Sequence, residues 1–468
     1  MFLRITLVSI LFAFTVLAKK PNILLICVDD LRPELNSLGA KHIHSPAMDS
    51  LVESGRAFTR HYVQAPTCGS SRYALLMGKY ASRPALRSNG ALFSVAEKSG
   101  ERPFSLPRHF RENGYRTISV GKVSHHPGGM GGEEWNDSAK PEMPGAWNVN
   151  VMPTGRWETP RKAMHGYAEG KPRISGKTPP NEHIAGDDMT YTDGLITREA
   201  LKQMDGMTGK NQPFFLAVGI MKPHLPFACP KSYRDIYDGV ELPMIPHPNK
   251  PSGLSTWHGS REFFGNYNQD GKDPRKDFKY ADEMRRSYAA CVSYADAQVG
   301  KLLAHLDELN LTDDTIVVLW GDHGWHLGEH SIWGKHSLFE ESLLAPMVIR
   351  APGMNEGGVR TEKVVETVDI YPTLCELSGI SIPEGLSGES LVGDLNNPNS
   401  KGGTAISYFG HNETIRTSEY RLIRHGQKNE LRFELYDHSK DGGETVNLAE
   451  EMPEVVKELN RMIEQKLK

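Results

Sequence analysis

The chain lacks any excess of positive charge. Its 54 Lys and Arg residues are outnumbered by 58 Asp and Glu residues, so the formal net charge is −4. Non-specific binding to nucleic acid needs a broad basic field, so this composition argues against a nucleic-acid partner. Any anionic ligand must therefore be held by a local group of cationic side chains.

Cysteine is also scarce, and the five residues are odd in number. Cys27, Cys229, Cys291 and Cys375 are scattered along the chain and predict no disulfide framework. At least one thiol is left unpaired, which directs attention to Cys68. By contrast, the 45 Gly and 30 Pro residues predict many loops between the apolar segments of a folded protein.

Cys68 lies where an extended segment ends and a helical pattern begins. It follows Pro66-Thr67 and precedes Gly69-Ser70-Ser71-Arg72 and an apolar run. The free N–H groups and the dipole at a helix N-terminus suit a thiolate or a group that holds an anion. The alternative is a half-buried structural cysteine, which is the commoner role of a free cysteine.

The N-terminus predicts a cleaved signal peptide over residues 1–18. A short start with Arg4 is followed by an apolar run of secretory length, and Val16-Leu17-Ala18 provides the small residues of a cleavage site near Ala18. The run is too short to cross a membrane comfortably. We therefore expect a secreted, periplasmic or lumenal protein with no stable membrane association after cleavage.

Continuous apolar runs without alternation predict buried parallel strands. Four of them occur, at residues 22–28, 115–120, 213–219 and 315–320. Helical patterns lie between them, including 193–204 and the long amphipathic segment 282–309. The predicted fold is α/β, a doubly wound and mostly parallel sheet with helices on both faces.

The pattern changes after about residue 396. Short segments of strand character at 405–409, 420–425 and 431–437 predict a small antiparallel sheet, and 450–465 predicts a closing helix. The predicted division is thus a signal peptide over 1–18, a catalytic domain over 19–395 and a small α+β subdomain over 396–468.

Charged residues follow the predicted strands at their carboxyl ends, where open α/β sheets place their sites. They are Asp29 and Asp30, Lys122 and His125, Lys222 and His224, Asp322 and His323, and Lys335 shortly afterwards. Three carboxylates in one crevice require a hard divalent cation, calcium or magnesium by ligand type. The additional cations indicate a tetrahedral oxyanion as the guest. Alternatively, Asp29 caps the next segment and Lys122 lies in a solvated turn.

The segment 127–187 has no sustained period and combines aromatic with cationic side chains. Trp135, Trp147, Trp157 and Tyr167 alternate with basic residues such as Arg173. A loop of this length is either functional or disordered. We predict a folded cover over the active face that binds a sulfated sugar, with a plain surface insertion as the alternative.

As a set, these motifs resemble the type I sulfatases of the alkaline-phosphatase-like superfamily, and within them the iduronate 2-sulfatase group. The resemblance covers nearly the whole mature chain, in the family's order. It is carried by residues 21–24 with Asp29-Asp30, by the signature 68–78, by Gly121-Lys122 with His125, by 215–219 with Lys222-Pro223-His224, by Asp322-His323-Gly324-Trp325 with Gly328-Glu329-His330, by Lys335, and by Glu434-Leu435-Tyr436-Asp437 with Glu444 and Asn447-Leu448.

The resemblance implies a sulfuric ester hydrolase whose signature cysteine, Cys68, is oxidised to formylglycine (3-oxoalanine) by a maturation enzyme. In such enzymes one hydroxyl of the hydrated aldehyde attacks sulfur and the other later expels sulfate. The implied ligands of one calcium ion, rather than magnesium, are Asp29, Asp30, Asp322, His323 and the modified Cys68. The resemblance also implies catalytic roles. Arg72 and Lys122 would bind the diol, and His125 would deprotonate it. His224 would protonate the leaving alcohol and Lys335 would contact the sulfate, with Lys222 and Trp325 near the substrate.

Two positions depart from the family's pattern. Ser70 stands where many members have Pro or Ala, in the sequence that the maturation enzyme recognises. His323 stands where many sulfatases carry Asn, although the iduronate-type branch also has His there. The resemblance implies hydrolysis of O-sulfate on a sulfated sugar or polysaccharide. The alternatives are a phosphodiesterase or phosphonate monoester hydrolase on the same fold, and a non-catalytic carbohydrate-binding descendant.

Overall fold

The structure is a computed structural model that describes residues 19–96, 104–129, 135–137, 139–354, 356–397, 399–426 and 430–467. The predicted signal peptide lies outside these residues and stays a prediction. Among the described residues, no helix combines the length and the apolar composition needed to span a bilayer.

The described residues form sixteen strands. They are β1 Asn22–Val28, β2 Arg56–Tyr62, β3 Arg116–Gly121, β4 Val149–Val151, β5 Asn181–Glu182, β6 Phe214–Ile220, β7 Phe227–Ala228, β8 Thr315–Gly321, β9 His326–Leu327, β10 Trp333–Gly334, β11 Met347–Arg350, β12 Val359–Glu366, β13 Ala405–Phe409, β14 Asn412–Arg416, β15 Tyr420–His425 and β16 Arg432–Asp437.

The same residues form thirteen α-helices. They are α1 Pro46–Ser54, α2 Cys68–Met77, α3 Phe93–Ala96, α4 Leu106–Glu112, α5 Pro160–Met164, α6 Thr192–Asp205, α7 Lys231–Asp235, α8 Arg261–Asn266, α9 Phe278–Glu308, α10 Glu340–Leu343, α11 Ile370–Leu377, α12 Val392–Asn396 and α13 Pro453–Lys466.

A central eight-stranded sheet has the order β12-β2-β11-β8-β1-β6-β3-β4. Every strand pair in it is parallel except the two that involve β11. The strands β1, β6 and β8 are buried along their whole length. Such strands need helices on both faces, which is why their sequences read as unbroken apolar runs. The predicted doubly wound, mostly parallel sheet is confirmed.

Alternate residues of β1 enter two hydrophobic cores, one on each face of the sheet. Leu24 and Ile26 pack in the core that contains α1, α6 and α9. Leu25 packs in the other core, with α2, α4 and α11. The second core continues into the antiparallel sheet β13-β14-β15-β16 and helix α13, which include Leu422 and Ile463. The small C-terminal sheet therefore shares its hydrophobic core with the central sheet.

Several element boundaries differ from those that the sequence predicts. Helix α9 begins at Phe278 rather than at 282, because the Asp277 side chain accepts a hydrogen bond from Tyr280 N at 3.1 Å and caps the helix. Strands β12 and β14 are not predicted, since their alternating polar residues lack the apolar run of a central strand. The segment 127–187 contains β4, α5 and β5, although its sequence has no sustained period.

Candidate active site

Four adjacent strands of the central sheet bring their following residues together. In the order β8-β1-β6-β3, these strands precede Asp322, Asp29, His224 and Lys122. The main-chain ladder continues one residue beyond the strands: Asp29 N donates to Ile220 O at 3.1 Å, and Asp322 N donates to Val28 O at 3.2 Å. Both carboxylates are thereby fixed at the carboxyl edge of the sheet.

Glycine allows β3 and β6 to approach each other closely at this edge. Lys122 N donates to Gly219 O at 2.9 Å, and a β-carbon at Gly219 would lie only 2.0 Å from the Lys122 carbonyl carbon. Gly121 has φ +77°, in the region that favours glycine. These two glycines place Lys122 beside Asp29, and the Lys122 ammonium forms an ion pair with the Asp29 carboxylate.

Cys68 is the first residue of α2, as the sequence predicts, and its side chain faces the same edge of the sheet. All ten residues of α2 are buried, and Cys68 is only 3 % exposed. Its Sγ lies 3.2 Å from His323 Nε2 and 3.5 Å from Lys335 Nζ. Burial, together with the nearby Asp29, raises the pKa of the Cys68 thiol well above its ordinary value. The helix N-terminus therefore does not produce a thiolate here.

Three fully buried carboxylates, those of Asp29, Asp30 and Asp322, surround the thiol. Arg72 joins two of them: its guanidinium lies 2.9 Å from Asp322 Oδ2 and 3.3 Å from Asp29 Oδ1. Lys335 Nζ lies 2.8 Å from Asp30 Oδ1. The Asp30 main chain has φ +59°, and its N–H donates to Asp322 Oδ1 at 2.9 Å. The three acids are therefore held in one rigid cluster.

The surroundings of the three acids shift their pKa values in different directions. Burial tends to raise the pKa of Asp29, but Lys122 and Arg72 outweigh it and hold this pKa well below the ordinary value. Burial raises the pKa of Asp322 to about 7, with Asp29 adding to the effect. For Asp30, burial and Asp29 outweigh Lys335 and leave the pKa well above the ordinary value. Further cationic charge is needed to ionise all three carboxylates at neutral pH.

The donor set fits a hard divalent cation. One donor atom each from Asp29, Cys68, Asp322 and His323 lies within 4.8 Å of the others, and the same holds for Asp29, Asp30, Cys68 and His224. Asp30 Oδ2 is buried and has no hydrogen-bond partner among the described residues. Carboxylate oxygens are the preferred ligands of calcium and magnesium.

The two predicted catalytic histidines both line the cavity at this cluster. His224 Nδ1 lies 2.6 Å from Leu225 O, and its Nε2 lies 3.6 Å from Glu262 Oε1. His125 is buried, and its Nδ1 has no hydrogen-bond partner among the described residues. Burial, with the charges of nearby lysines, lowers the pKa of both rings well below the ordinary value. Both rings are therefore neutral before a substrate binds.

A cavity of about 380 Å³ opens above the cluster. Cys68, His125, His224 and Lys335 form part of its lining. Its lining also includes five residues of the segment 127–187, namely Trp135, Arg161, Met164, His165 and Arg173. Part of that segment thus does cover the site.

Other aromatic residues of the same segment belong to the interior of the fold instead. Trp157 is buried and its Nε1 donates to Tyr167 O at 2.8 Å. The Trp147 ring lies 6.1 Å from that of Phe215 in the central sheet. Trp147 and Trp157 therefore pack against protein and do not line the cavity.

Two predicted substrate contacts, Lys222 and Trp325, do not line the cavity. Lys222 Nζ donates to the carbonyl oxygens of His224 at 3.0 Å and of Pro226 at 2.6 Å, and so fixes the loop that carries His224. Trp325 is completely buried, with Lys335 Nζ 5.4 Å from its ring centroid. Both residues thus contact the segments that carry predicted catalytic side chains and do not face the cavity.

Two acidic residues at the site are absent from the sequence prediction. Glu262, in α8, lines the cavity and its Oε1 lies 3.6 Å from both His224 Nε2 and Lys335 Nζ. Asp193, in α6, accepts hydrogen bonds from Met221 N at 2.8 Å and Lys222 N at 2.9 Å. Neither residue directly follows a core strand. The sequence prediction relied on that position to identify residues such as Asp29, Lys122 and Asp322.

Replacing Asp193 with alanine is expected to lower kcat by about 10- to 100-fold without removing any group that lines the cavity. The change leaves two buried main-chain N–H groups unsatisfied and loosens the loop that positions His224. Steady-state kinetics test this, and Asp193→Asn, which keeps one acceptor oxygen, should recover part of kcat. An unchanged kcat in the alanine variant would show that the loop is held by its own prolines and Lys222.

The central sheet, with this cluster at its carboxyl edge, belongs to the alkaline-phosphatase-like fold class. The fold is shared with the phosphonate monoester hydrolase of Agrobacterium radiobacter (TM-score 0.75, 20 % identity, 96 % of this chain and 95 % of that one). It is also shared with a protein solved with its substrate D-glucosamine-2-N,6-O-disulfate (TM-score 0.71, 21 % identity, 96 % and 97 %).

Sequence comparison defines the family within this class. The sulfatase family profile matches residues 21–380, and the profile of the N-sulphoglucosamine sulphohydrolase C-terminal region matches 328–468. Iduronate 2-sulfatase of Mus musculus is 33 % identical over 397 residues, which are 77 % of this chain and 69 % of the mouse protein. The chain belongs to the sulfatase family and is a hydrolase similar to iduronate 2-sulfatase.

Proposed function

We propose that this chain removes O-sulfate from a sulfated sugar or polysaccharide, using a hydrated formylglycine made from Cys68 and one bound calcium ion. The observation that carries the proposal is the position of Cys68. It begins a buried helix at the base of the cavity, beside three carboxylates and beside Arg72, Lys122 and Lys335. An unmodified thiol with a raised pKa is a poor nucleophile, whereas the diol of formylglycine supplies an attacking hydroxyl.

Calcium would be held by Asp29, Asp30, Asp322 and His323, with the modified residue 68 completing the set. When bound, the ion supplies a positive charge that stabilises the charge developing on the sulfate oxygens. Its charge also permits all three carboxylates to ionise at neutral pH.

Each cationic and imidazole side chain has a separate task in this proposal. Arg72 and Lys122 are fixed by carboxylates and would orient the diol. Lys335 lines the cavity and would bind a sulfate oxygen, since its ammonium is 3.5 Å from Cys68 Sγ. His125, neutral and with Nδ1 unpartnered in the described structure, would accept a proton from the diol.

His224 would give a proton to the leaving alcohol. Its Nε2 lies 3.6 Å from Glu262 Oε1, and this carboxylate, together with the bound anionic substrate, would allow the neutral ring to take up the proton that it then donates. The departure of an alkoxide from a sugar requires such an acid. Glu262 would thus orient His224 and also pair with Lys335.

The cavity mouth supports a substrate that carries more than one anionic group. Arg161, Arg173 and Arg261 are all part of its lining. Fixed guanidinium groups bind carboxylates and sulfates bidentately. Together with the similarity to iduronate 2-sulfatase, these arginines support an acidic or multiply sulfated saccharide. We also propose that the protein is exported to the periplasm or the exterior, on the strength of the predicted signal peptide.

The proposal predicts a modified residue in the protein purified from its own host. The tryptic peptide 61–72 should carry an aldehyde in place of the Cys68 thiol, because the cysteine sulfur is lost on oxidation to formylglycine. Mass spectrometry of this peptide, with and without a hydrazine label for aldehydes, measures the modified fraction. A wholly unmodified peptide would refute the mechanism and would leave glycan binding without hydrolysis as the function.

Turnover of defined sulfated saccharides tests the substrate class. Desulfation should be seen with at least one acidic sulfated saccharide, and an aryl sulfate should be hydrolysed faster than an aryl phosphodiester. The reverse preference would show that the chain is a phosphodiesterase or a phosphonate monoester hydrolase on this fold. A panel that varies sugar and sulfate position, read by sulfate release, then identifies the position attacked.

A further inference from the structure

A second cluster of titratable side chains lies outside the active site, where the loop before α8, the loop after β9 and helix α10 meet. It consists of His247, His330 and Glu341, and we propose that these three residues bind one divalent transition-metal ion of the zinc type. This inference does not depend on the proposed sulfatase mechanism.

The first observation that indicates a metal site is the environment of His330. Its side chain is completely buried, yet neither Nδ1 nor Nε2 has a hydrogen-bond partner among the described residues. The ring is held in place by stacking on Phe339, with 4.1 Å between ring centroids and 15° between planes. Buried imidazole nitrogens are normally paired, so a ring fixed in this way with both nitrogens unpaired is a candidate metal ligand.

The second observation is that one carboxylate oxygen of Glu341 is also buried and has no hydrogen-bond partner among the described residues. Oε2 has no hydrogen-bond partner among the described residues and lies 3.9 Å from His330 Nε2. The other oxygen, Oε1, lies 2.6 Å from His247 Nε2. One donor atom from each of the three residues lies within 4.8 Å of the other two.

The donor types select the metal. Two imidazoles and a carboxylate are typical of zinc, whereas calcium and magnesium require mainly oxygen ligands. Zn–N and Zn–O distances of about 2.0–2.1 Å place tetrahedral ligand atoms about 3.3 Å apart, so small side-chain rotations close this cluster on an ion.

The two imidazoles differ in pKa. Burial, reinforced by the nearby His247, lowers the pKa of His330 to about 4. Burial also tends to lower the pKa of His247, but the hydrogen bond to Glu341 outweighs it and raises this pKa, so metal binding at His247 would release a proton. A neutral imidazole has a free lone pair for a metal ion.

The backbone fixes the three ligands to one another before any ion binds. His330 N donates to His247 O at 2.8 Å, which joins two of the three segments. A β-carbon at Gly443 would lie 2.5 Å from His247 Nδ1, so the glycine leaves space for this ring. The His247 side chain is 17 % exposed and provides an entry path. Preorganised ligands reduce the conformational entropy that is lost on binding.

An ion at this position would brace the loop that carries the predicted calcium ligands. Gly324, next to His323, packs against the main chain of Glu341. A β-carbon on Gly324 would lie 2.0 Å from the Glu341 carbonyl oxygen. Gly324 N also donates to Ser342 O at 3.0 Å. Glu341 therefore connects the proposed zinc cluster to the residue that follows the active-site ligands.

Equilibrium dialysis of the metal-stripped full chain against zinc, with saturating calcium present to occupy the active site, tests the proposal. We expect one zinc ion per chain by elemental analysis. His247→Asn and Glu341→Gln should each weaken binding by about 100-fold or more, as loss of a ligand requires. His247→Asn keeps a partly exposed polar side chain, so its effect does not depend on refolding of a buried site.

The matched control is His305→Asn. The His305 side chain is 16 % exposed and lies 2.8 Å from both Asp205 and Glu308, so it resembles His247 in exposure and in acidic partners, but it belongs to α9. This variant should bind zinc as the wild type does. Cobalt in place of zinc should give visible absorption bands that His247→Asn removes. The proposal is overturned if micromolar zinc does not bind, or if the two ligand variants bind it as tightly as the wild type.

Discussion

Cys68→Ala is expected to lower the turnover of sulfate esters by about 10⁶-fold, the loss typical of removing a catalytic nucleophile. The methyl group of alanine cannot be converted to an aldehyde, so no attacking hydroxyl exists. The fold should persist, because the thiol contributes only a small side chain to a helix whose other nine residues remain buried. Circular dichroism and the sulfate-release assay measure the two effects separately.

Two further variants sharpen this prediction. Cys68→Ser keeps a hydroxyl but has no second hydroxyl to expel sulfate, so it should release at most one equivalent of alcohol per chain. Cys375→Ala removes another buried thiol, in α11, and should leave turnover within a few-fold of the wild type. If Cys68→Ala kept more than about 1 % of wild-type turnover, Cys68 would be a structural cysteine.

Asp322→Asn should lower turnover by about 10³-fold, because calcium supplies several kcal/mol of charge stabilisation. The amide is isosteric and its oxygen can still accept the hydrogen bond from Asp30 N, while the variant loses the negative charge and the pairing with Arg72. Calcium at 100 times its Kd should stabilise the wild type by about 2.7 kcal/mol and should not stabilise this variant. Thermal unfolding with and without calcium measures the difference.

The control is Asp296, a buried carboxylate that lies outside the possible metal-ligand groups of the described residues. Asp296 accepts hydrogen bonds from Ala47 N and Met48 N at the start of α1, and burial raises its pKa to about 6. Asp296→Asn should change stability but should leave the calcium-dependent shift and the turnover intact. Full activity of Asp322→Asn in the presence of a calcium chelator would contradict the metal assignment.

The central sheet could be predicted because burial on both faces leaves a direct mark on sequence. Strands β1, β6 and β8 are unbroken apolar runs, and their short length between turns favours a buried strand over a helix. Strand β12 pairs with β2 at the sheet edge, and its first half includes the exposed residues Arg360 and Glu362. Its position depends on tertiary pairing, which a local pattern does not contain.

Part of the candidate site could also be predicted from the sequence, because of the topology of the sheet. Asp29, Lys122, His224 and Asp322 follow core strands, so a parallel sheet brings them to one edge. Glu262 reaches the site from α8, and no strand precedes it. The packing of Trp157 against Tyr167 O likewise follows from the folded loop and not from its aromatic content.

The deep burial of α2 has a consequence for the timing of biosynthesis. Cys68 touches His323, which is 255 residues further along the chain, so the pocket around the thiol cannot close until that later segment has been made. At about 5–20 residues per second, synthesis of the intervening chain takes tens of seconds. Ser70 is completely buried in the finished fold and cannot reach its final surroundings before that interval ends. Under the proposed modification, the maturation enzyme must read this segment as an extended nascent chain, and a chain that folds first keeps its thiol permanently.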